Sequence, residues 1–161
     1  MKVLVDGDCC NRISTIESIA QKKNIPVLIF CDWTRFLDSD YSEIHTVEKG
    51  RDSADFALLK YVEQGDIVVT QDAGLASMAL SKKAYVIHNN GSRFTEHNIN
   101  IFLNKRFLRT KATKKTGRRH YKGIDMNSEK VSLCFGKEFF KLLSYVIKTN
   151  KNKKKEGALN E

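Results

Sequence analysis

The sequence predicts a three-layer α/β/α fold built around a mostly parallel sheet. Short apolar runs of strand length alternate along the chain with segments whose apolar residues recur at helical spacing. The run over residues 27–31 is continuously apolar, which is typical of a strand that is buried on both faces. A length of 161 residues, of which 41% are hydrophobic, suits one domain with a substantial core.

The elements are predicted in an alternating strand and helix order. The first strand covers residues 2–6, and the first helix covers residues 11–23, where Ile13, Ile16 and Ile19 recur at helical spacing. The other strands are predicted at residues 27–31, 44–47, 67–70 and 84–88. A second helix is predicted to begin within residues 50–55. Three further helices are predicted at residues 74–82, 98–109 and 128–148.

The packing pattern predicts which side chains are inside. Phe56, Leu59 and Val62 are expected on the inner face of the second helix, and Trp33 is expected to pack as well. Crossovers between parallel strands are right-handed, and ligands bind outside the carboxyl ends of such strands. Functional residues are therefore expected where the strands end.

Charge is distributed unevenly along the chain. Residues 1–80 contain 8 Lys/Arg against 13 Asp/Glu, a net charge of −5, whereas residues 81–161 contain 20 against 6, a net charge of +14. A basic segment at 104–124 has no acidic residue and belongs to a predicted single domain at 1–148, and a basic tail at 149–161 is expected to be disordered. The acidic half suits cation binding, and the basic half suits a polyanion.

The composition argues against a membrane protein and against a zinc-binding protein. No apolar run approaches the roughly 20 residues that span a bilayer, and the short apolar stretch at the N-terminus ends at Asp6, so we expect a cytoplasmic protein without a membrane partner. The four cysteines form no C-x-x-C pair and are expected to be free thiols. A zinc site is not expected.

Five aspartates are expected to converge. Asp6 ends the first strand and Asp8 follows it, while Asp52 and Asp55 open the second helix and Asp72 follows the strand before the third helix. If the two strands are neighbours, Asp6 and Asp72 meet at one edge of the sheet. Crowded carboxylates repel one another, and Mg²⁺ or Mn²⁺ relieves that repulsion by taking oxygen ligands.

Each aspartate also has a structural interpretation. Asp52 and Asp55 have the i, i+3 spacing of a capping box, and Asp8 could cap the first helix. Asp6 and Asp72 could be ordinary turn residues at strand ends. The combination of all five is more specific than any one of them.

Four motifs carry a resemblance to a known family. They are Val5-Asp6-Gly7-Asp8-Cys9-Cys10, Asp52-Ser53-Ala54-Asp55, the stretch from Gly65 to Ala76, and Phe94-Thr95-Glu96-His97-Asn98-Ile99. With these motifs in this order, the chain resembles the YaiI/YqxD family of uncharacterised bacterial proteins over roughly residues 1–147. The fold that this resemblance implies is similar to that of PIN-type nuclease domains. The resemblance implies an acidic cluster that binds Mg²⁺ or Mn²⁺ and hydrolyses RNA. This sequence departs from the family pattern at Asn11 and Gly74, where proline is usual, and at Asn90, where arginine is usual.

The leading hypothesis is a metal-dependent nuclease that prefers RNA to DNA. Asp6, Asp55 and Asp72 would be the catalytic metal ligands, and Asp8 and Asp52 would assist them. The phosphate backbone would be contacted by basic side chains, namely Arg93, Lys114, Lys115, Arg118, Arg119 and Lys122.

Two alternatives remain open at the level of sequence. The chain could be a non-catalytic RNA-binding module in which the acidic site is vestigial. It could also be a phosphatase of the haloacid dehalogenase type, because Asp6-Gly7-Asp8 resembles its D-x-D motif and Val68-Val69-Thr70 its second motif. Its later acidic motif is missing, since the strand before residue 88 leads to His88-Asn89-Asn90. The natural substrate and the oligomeric state stay open.

Overall fold

The computed structural model describes residues 1–48, 50, 53–105 and 129–158. Within them, the strands are β1 (Val3–Asp6), β2 (Val27–Asp32), β3 (Glu43–Val47), β4 (Ile67–Val69), β5 (Tyr85–Ile87) and β6 (Arg93–Phe94). The helices are α1 (Ile13–Gln21), α2 (Ser53–Tyr61), α3 (Ala73–Ser81), α4 (described over residues 99–105) and α5 (Glu129–Ala158). Within the described residues, the predicted elements agree with these bounds to within a few residues, apart from the last helix. The strand β6 was not predicted, and residues 106–109, the predicted end of the fourth helix, lie outside the described part of the chain.

The strands form one sheet in the order β3-β2-β1-β4-β5-β6. All neighbouring pairs are parallel except β5 and β6, which are antiparallel. The chain builds outward from β1 to β3 and then returns to place β4 on the other side of β1, so the strand order reverses between β1 and β4. Ligand sites in open α/β sheets lie at such a reversal, outside the carboxyl ends of the strands.

Two apolar cores cover the two faces of the sheet. The first core joins Val3, Val5 and Ile29 to α1 and α5, and α5 contributes residues at helical spacing, namely Phe135, Phe139, Leu142, Leu143 and Val146. The second core joins Leu4, Leu28 and Phe30 to α2, α3 and α4. Because alternate residues of β1 and β2 enter different cores, both faces are buried, and the predicted α/β/α fold is confirmed.

Two local expectations differ from the structure. Phe56 is 58% exposed, and Ala54 and Leu58 join Leu59 and Val62 on the buried side of α2. Trp33 does not pack either, since it is 60% exposed. Apolar character alone did not determine burial here, because the orientation of the helix and of the turn decides which side chains face the sheet.

The C-terminal tail differs as well. Residues 149–158 were expected to be disordered, yet α5 continues through them to Ala158. Asn150 donates through Nδ2 to the Gly65 carbonyl at 3.3 Å, and the Thr149 hydroxyl donates to the Tyr145 carbonyl at 3.0 Å. These contacts anchor the start of the segment to the domain.

Candidate active site

Asp6 lies at the carboxyl end of the central strand β1 and is only 3% exposed. Leu4, two residues earlier, belongs to the second core, so Asp6 faces the α2 and α3 layer. The Thr70 hydroxyl donates to Asp6 Oδ2 at 2.8 Å. Burial raises the pKa of Asp6, the hydrogen bond from Thr70 opposes that shift, and the charge of Asp8 adds to it, with a net rise.

Thr70 joins the ends of the two central strands. Its hydroxyl donates to Asp6 and also accepts from the Asp72 backbone N–H at 3.0 Å. Asp6 and Asp72 therefore lie at the same edge of the sheet, as predicted, and Thr70 lies between them. Thr70 was not among the predicted site residues, although its place directly after a buried strand was a usable signal.

Asp8 lies on the exposed loop after β1. Its Oδ1 accepts from the Asp32 backbone N–H at 2.9 Å, which ties the loop to the end of β2. The guanidinium of Arg35 donates to the backbone carbonyls of Asp8 and Cys10. Asp8 is thereby held at the same sheet edge as Asp6 without capping α1, whose N-cap residue, Arg12, makes no side-chain capping bond.

Asp55 reaches this edge from the first turn of α2. The Cys9 thiol lies within reach of the charge of Asp55. The pKa of that thiol is raised to about 12, first by partial burial of the sulfur, then by the charges of Asp6 and Asp55, and to a smaller extent by the charge of Asp8. One sulfur atom thus lies within the electrostatic reach of three of the five predicted carboxylates. It stays protonated at neutral pH, so Cys9 is not a nucleophile there.

Asp72 caps a helix at this edge. It is the N-cap of α3, and its Oδ1 accepts from the backbone N–H groups of Gly74 at 2.6 Å and Leu75 at 3.1 Å. These bonds satisfy two orphan donors of the helix. The geometry therefore gives Asp72 a positioning role, and its service as a metal ligand stays a prediction.

Two amide side chains brace the loop that carries Asp8. Gln71 Nε2 and Asn89 Nδ2 each donate to the Cys9 carbonyl at 2.8 Å. Asn89 is fully buried and follows β5, so the ends of β1, β4 and β5 are joined at one backbone oxygen. Neither residue was predicted, because amides at strand ends resemble ordinary turn residues.

Arg93, the predicted basic residue within the described part of the chain, lies away from this edge. Arg93 lies on β6, three strand spacings or about 14 Å from β1. Its neighbour Phe94 enters the second core, so Arg93 faces the opposite side of the sheet, where the pKa of Glu138 is lowered first by the Lys141 hydrogen bond and also by the charge of Arg93. The remaining predicted residues lie outside the described part of the chain, namely Asp52, Lys114, Lys115, Arg118, Arg119 and Lys122.

The chemistry of the donors suits a hard cation. Carboxylate oxygens are the ligands that Mg²⁺ and Mn²⁺ take, and Mg²⁺ often uses one or two carboxylates and fills its other positions with water and substrate phosphate. Among the residues that the structure describes, no group of three His, Cys, Asp or Glu side chains could hold a metal ion. Asp6 and Asp8 therefore fit an ion that is completed by its substrate better than one held in a protein cage.

The expected free cysteines are confirmed. Cys9 and Cys134 are exposed, Cys10 and Cys31 are buried, and none is in a disulfide. Across the described ranges, no helix combines the length and the apolar character that crossing a bilayer requires.

Comparison with known proteins supports the resemblance. Residues 4–145 match the model of a family described as "Uncharacterized BCR, YaiI/YqxD family". The chain is 43% identical to a UPF0178 protein of Clostridium acetobutylicum over 123 residues, which cover 76% of this chain and 83% of the relative. It is 47% identical to a UPF0178 protein of Alkaliphilus oremlandii over 108 residues, covering 67% and 70% of the two chains. No solved structure is significantly similar to this chain.

Proposed function

The chain belongs to the YaiI/YqxD family, and we propose that it is a divalent-metal-dependent nuclease that acts on RNA in preference to DNA. One observation carries the proposal. A buried aspartate, Asp6, ends the central strand at the point where the strand order reverses, and two further carboxylates, Asp8 and Asp55, lie near it around Cys9. Buried and mutually repelling carboxyl groups at such a position are typical of functional sites.

A cation would resolve the electrostatic conflict at Asp6. Burial and the charge of Asp8 both disfavour the ionised carboxylate. Asp6 and Asp8 would hold Mg²⁺ or Mn²⁺, with Asp55 close enough to assist, and Asp52 as a predicted further ligand. When bound, the ion would supply activation of water and neutralisation of the charge that develops on the phosphoryl group.

The protein's own groups have separate tasks in this proposal. Thr70 keeps Asp6 in one orientation, since its hydroxyl donates to Oδ2 at 2.8 Å. Asp72 aligns α3 through its capping bonds, and Arg35 with Gln71 and Asn89 fixes the loop that presents Asp8. Positioning of this kind lowers the barrier because the reacting groups need not be ordered during the reaction.

The choice of RNA rests on charge and on the resemblance to PIN-type domains. The half of the chain from residue 81 carries a net charge of +14, and a polyanion is the partner that such a charge attracts. The predicted phosphate contacts are Lys114, Lys115, Arg118, Arg119 and Lys122. Arg93 is a weaker candidate, because it faces the side of the sheet opposite to Asp6.

The test is cleavage of labelled single-stranded RNA and DNA with Mg²⁺, with Mn²⁺ and with EDTA. Asp6→Asn is the key variant, because asparagine has nearly the same shape and can still accept from Thr70. Asp40→Asn is a matched control, since Asp40 is exposed on the loop between β2 and β3 beside Tyr41, whose hydroxyl bonds to the Ile25 carbonyl at the other end of the sheet. We expect cleavage that EDTA abolishes, that Asp6→Asn lowers by at least about 100-fold, and that Asp40→Asn leaves unchanged.

Two results would support the alternatives. RNA binding that ignores EDTA, without cleavage by the wild type, would favour a non-catalytic RNA-binding module. Trapping of a phosphate on Asp6 during hydrolysis of a phosphate monoester would favour the phosphatase. Against the phosphatase, the residue buried after β5 is Asn89, an amide that donates to the Cys9 carbonyl, where that mechanism requires a carboxylate.

A further inference from the structure

Two aromatic side chains stand in solvent on the turn that follows β2. Trp33, the only tryptophan of the chain, is 60% exposed, and Phe36 is 97% exposed. We call residues 33–36 the aromatic turn. Burial of such side chains is normally favourable by a few kcal/mol, about 1.5–3 for a phenylalanine. Their joint exposure on one short turn therefore requires an explanation.

The aromatic turn is rigid in its backbone. The Arg35 N–H donates to the Asp32 carbonyl at 2.9 Å, which closes a β-turn with Trp33 at its first central position. The Thr34 N–H donates to Asp32 Oδ1 at 2.8 Å, and the Trp33 N–H donates to the Val47 carbonyl at 3.0 Å. The backbone donors of Trp33, Thr34 and Arg35 are thus committed, so the turn presents Trp33 from a fixed base, and Phe36 follows directly after the bonded residues.

The aromatic turn is joined directly to the candidate active site. Asp32, the residue before it, donates through its N–H to Asp8 Oδ1 at 2.9 Å. Arg35 donates to the carbonyls of Asp8 and Cys10 from within the turn. The exposed rings therefore lie on the same edge of the sheet as the carboxylates, beside the loop that carries Asp8.

We propose that Trp33 and Phe36 stack on unpaired bases of an RNA strand whose neighbouring phosphate lies at Asp6 and Asp8; this inference rests on the proposed function. Every base has a flat π face, so two aromatic side chains can hold a strand without reading its sequence. Stacking needs bases that are not already paired, so the aromatic turn selects single-stranded over double-stranded RNA. Placement of the bases would also fix which phosphate reaches the carboxylates.

The size of the patch argues against a protein partner. Two aromatic side chains bury about 300–500 Å² together, which is below the roughly 800 Å² that each side of a stable protein interface contributes. Their neighbours Thr34, Arg35 and Asp38 are polar or charged, and the apolar neighbour Leu37 packs against the first core, so none of them extends an exposed apolar surface. Two separate rings with a polar surround suit separate bases.

The test uses the fluorescence of Trp33, which is free of background because the chain has no other tryptophan. A 12-nucleotide RNA with 2′-O-methyl groups and the matching duplex are titrated in EDTA, so that neither cleavage nor a metal ion affects the reading. We expect saturable quenching by the single strand and little by the duplex. Quenching by both alike, or by neither, would overturn the proposal.

Substitutions then separate stacking from simple attraction. With a labelled single strand, anisotropy should show binding about 5- to 100-fold weaker for Trp33→Leu and for Phe36→Leu. Phe140→Leu is the control, since Phe140 is a half-exposed aromatic on α5 under Lys23, and its substitution should leave affinity unchanged. Equal losses in all three variants, or no loss in any, would refute stacking. A concentration-dependent shift of Trp33 emission without RNA would instead assign the aromatic turn to contact with a second copy.

The two proposals fail separately. If Asp6→Asn and the wild type are equally inactive while Trp33 is still quenched, the nuclease proposal falls and the stacking surface stands. If the wild type cleaves RNA, and Trp33→Leu and Phe36→Leu retain its KM, the nuclease stands and the stacking surface falls.

Discussion

Two buried aspartates lie at opposite ends of the central strands, and their surroundings differ. Asp66, just before β4, is 1% exposed, and its carboxylate accepts from the Lys2 N–H at 2.9 Å and the Glu63 N–H at 3.0 Å. The Lys2 ammonium group lies 2.9 Å from Oδ2, and the amino group of Met1 lies 3.9 Å from Oδ1. The charge of Asp66 is therefore compensated on every side.

Asp6 is nearly as buried, but the groups that bond to it are neutral. It accepts from the Thr70 hydroxyl and forms backbone and side-chain hydrogen bonds with Cys9, while Asp8, a like charge, is nearby. In the part of the chain that the structure describes, no lysine or arginine forms an ion pair with Asp6. The comparison teaches that burial of an aspartate identifies no function by itself, whereas a buried aspartate that is bonded to neutral groups beside a like charge is where a cation is proposed.

The largest effect is expected when the compensated aspartate is neutralised. Asp66→Asn removes one charge of a buried pair and turns an acceptor into a donor that faces Lys2, so the free energy of unfolding should fall by about 3 kcal/mol. Asp6→Asn should lower it less, since burial and the charge of Asp8 already disfavour the ionised carboxylate there. Urea unfolding of both variants measures the difference, and an equal loss of stability would show that the two sites do not differ.

A somewhat smaller effect is expected for Thr70→Val. The change removes the hydroxyl that accepts from the Asp72 N–H and donates to Asp6, which should lower the free energy of unfolding by about 1–3 kcal/mol. Cleavage of RNA should fall as well, because Asp6 loses its fixed orientation. Thr70→Ser keeps the hydroxyl and serves as the control, so comparable losses in both variants would mean that the methyl group is what matters.

The pH dependence of stability should reveal Asp6 directly. Its pKa in the folded state is raised above the ordinary value of 3.8, so between that value and the folded pKa the native state binds more protons than the unfolded state. The stabilising effect of that proton is fully present below pH 3.8 and is lost as pH rises through the folded pKa. Unfolding measured between pH 4 and 7 should show this loss in the wild type, whereas Asp6→Asn should lack it.

Saturating Mg²⁺ should remove the same contribution, because the ion would compensate the charge of Asp6. Identical pH profiles for the wild type and Asp6→Asn would contradict the raised pKa. A profile of the wild type that Mg²⁺ leaves unchanged would count against metal binding at Asp6.

The smallest effect is expected in the reactivity of Cys9. Its pKa of about 12, which is set first by burial and then by Asp6 and Asp55, should make alkylation by iodoacetamide at pH 8 slow. Asp6→Asn removes one of the charges and should accelerate the reaction severalfold. Mass spectrometry of the peptides follows Cys9, with the exposed Cys134 as an internal control. An unchanged rate at Cys9 would place Asp6 farther from the thiol than the structure does.

The outline of the candidate site was predictable, and its chemistry was less so. Asp6, Asp8 and Asp55 were expected at one edge of the sheet because each follows a strand or opens a helix in a regular α/β pattern. Asp72 was expected there as a ligand, yet its carboxylate caps α3, and sequence spacing does not distinguish a cap from a ligand at the start of a helix. Thr70, Gln71 and Asn89 were missed, since their role depends on atoms from other strands.

The sequence by itself determined the order and type of the elements, since apolar runs and helical periodicity are local properties of the chain. Only the tertiary structure decided that β4 pairs with β1, through contacts such as Val3 with Ile67 that join residues far apart in sequence. That pairing brings Thr70 to Asp6, and the register of β6 turns Arg93 to the other face. Strand order and facing depend on long-range pairing and register, which no local pattern encodes.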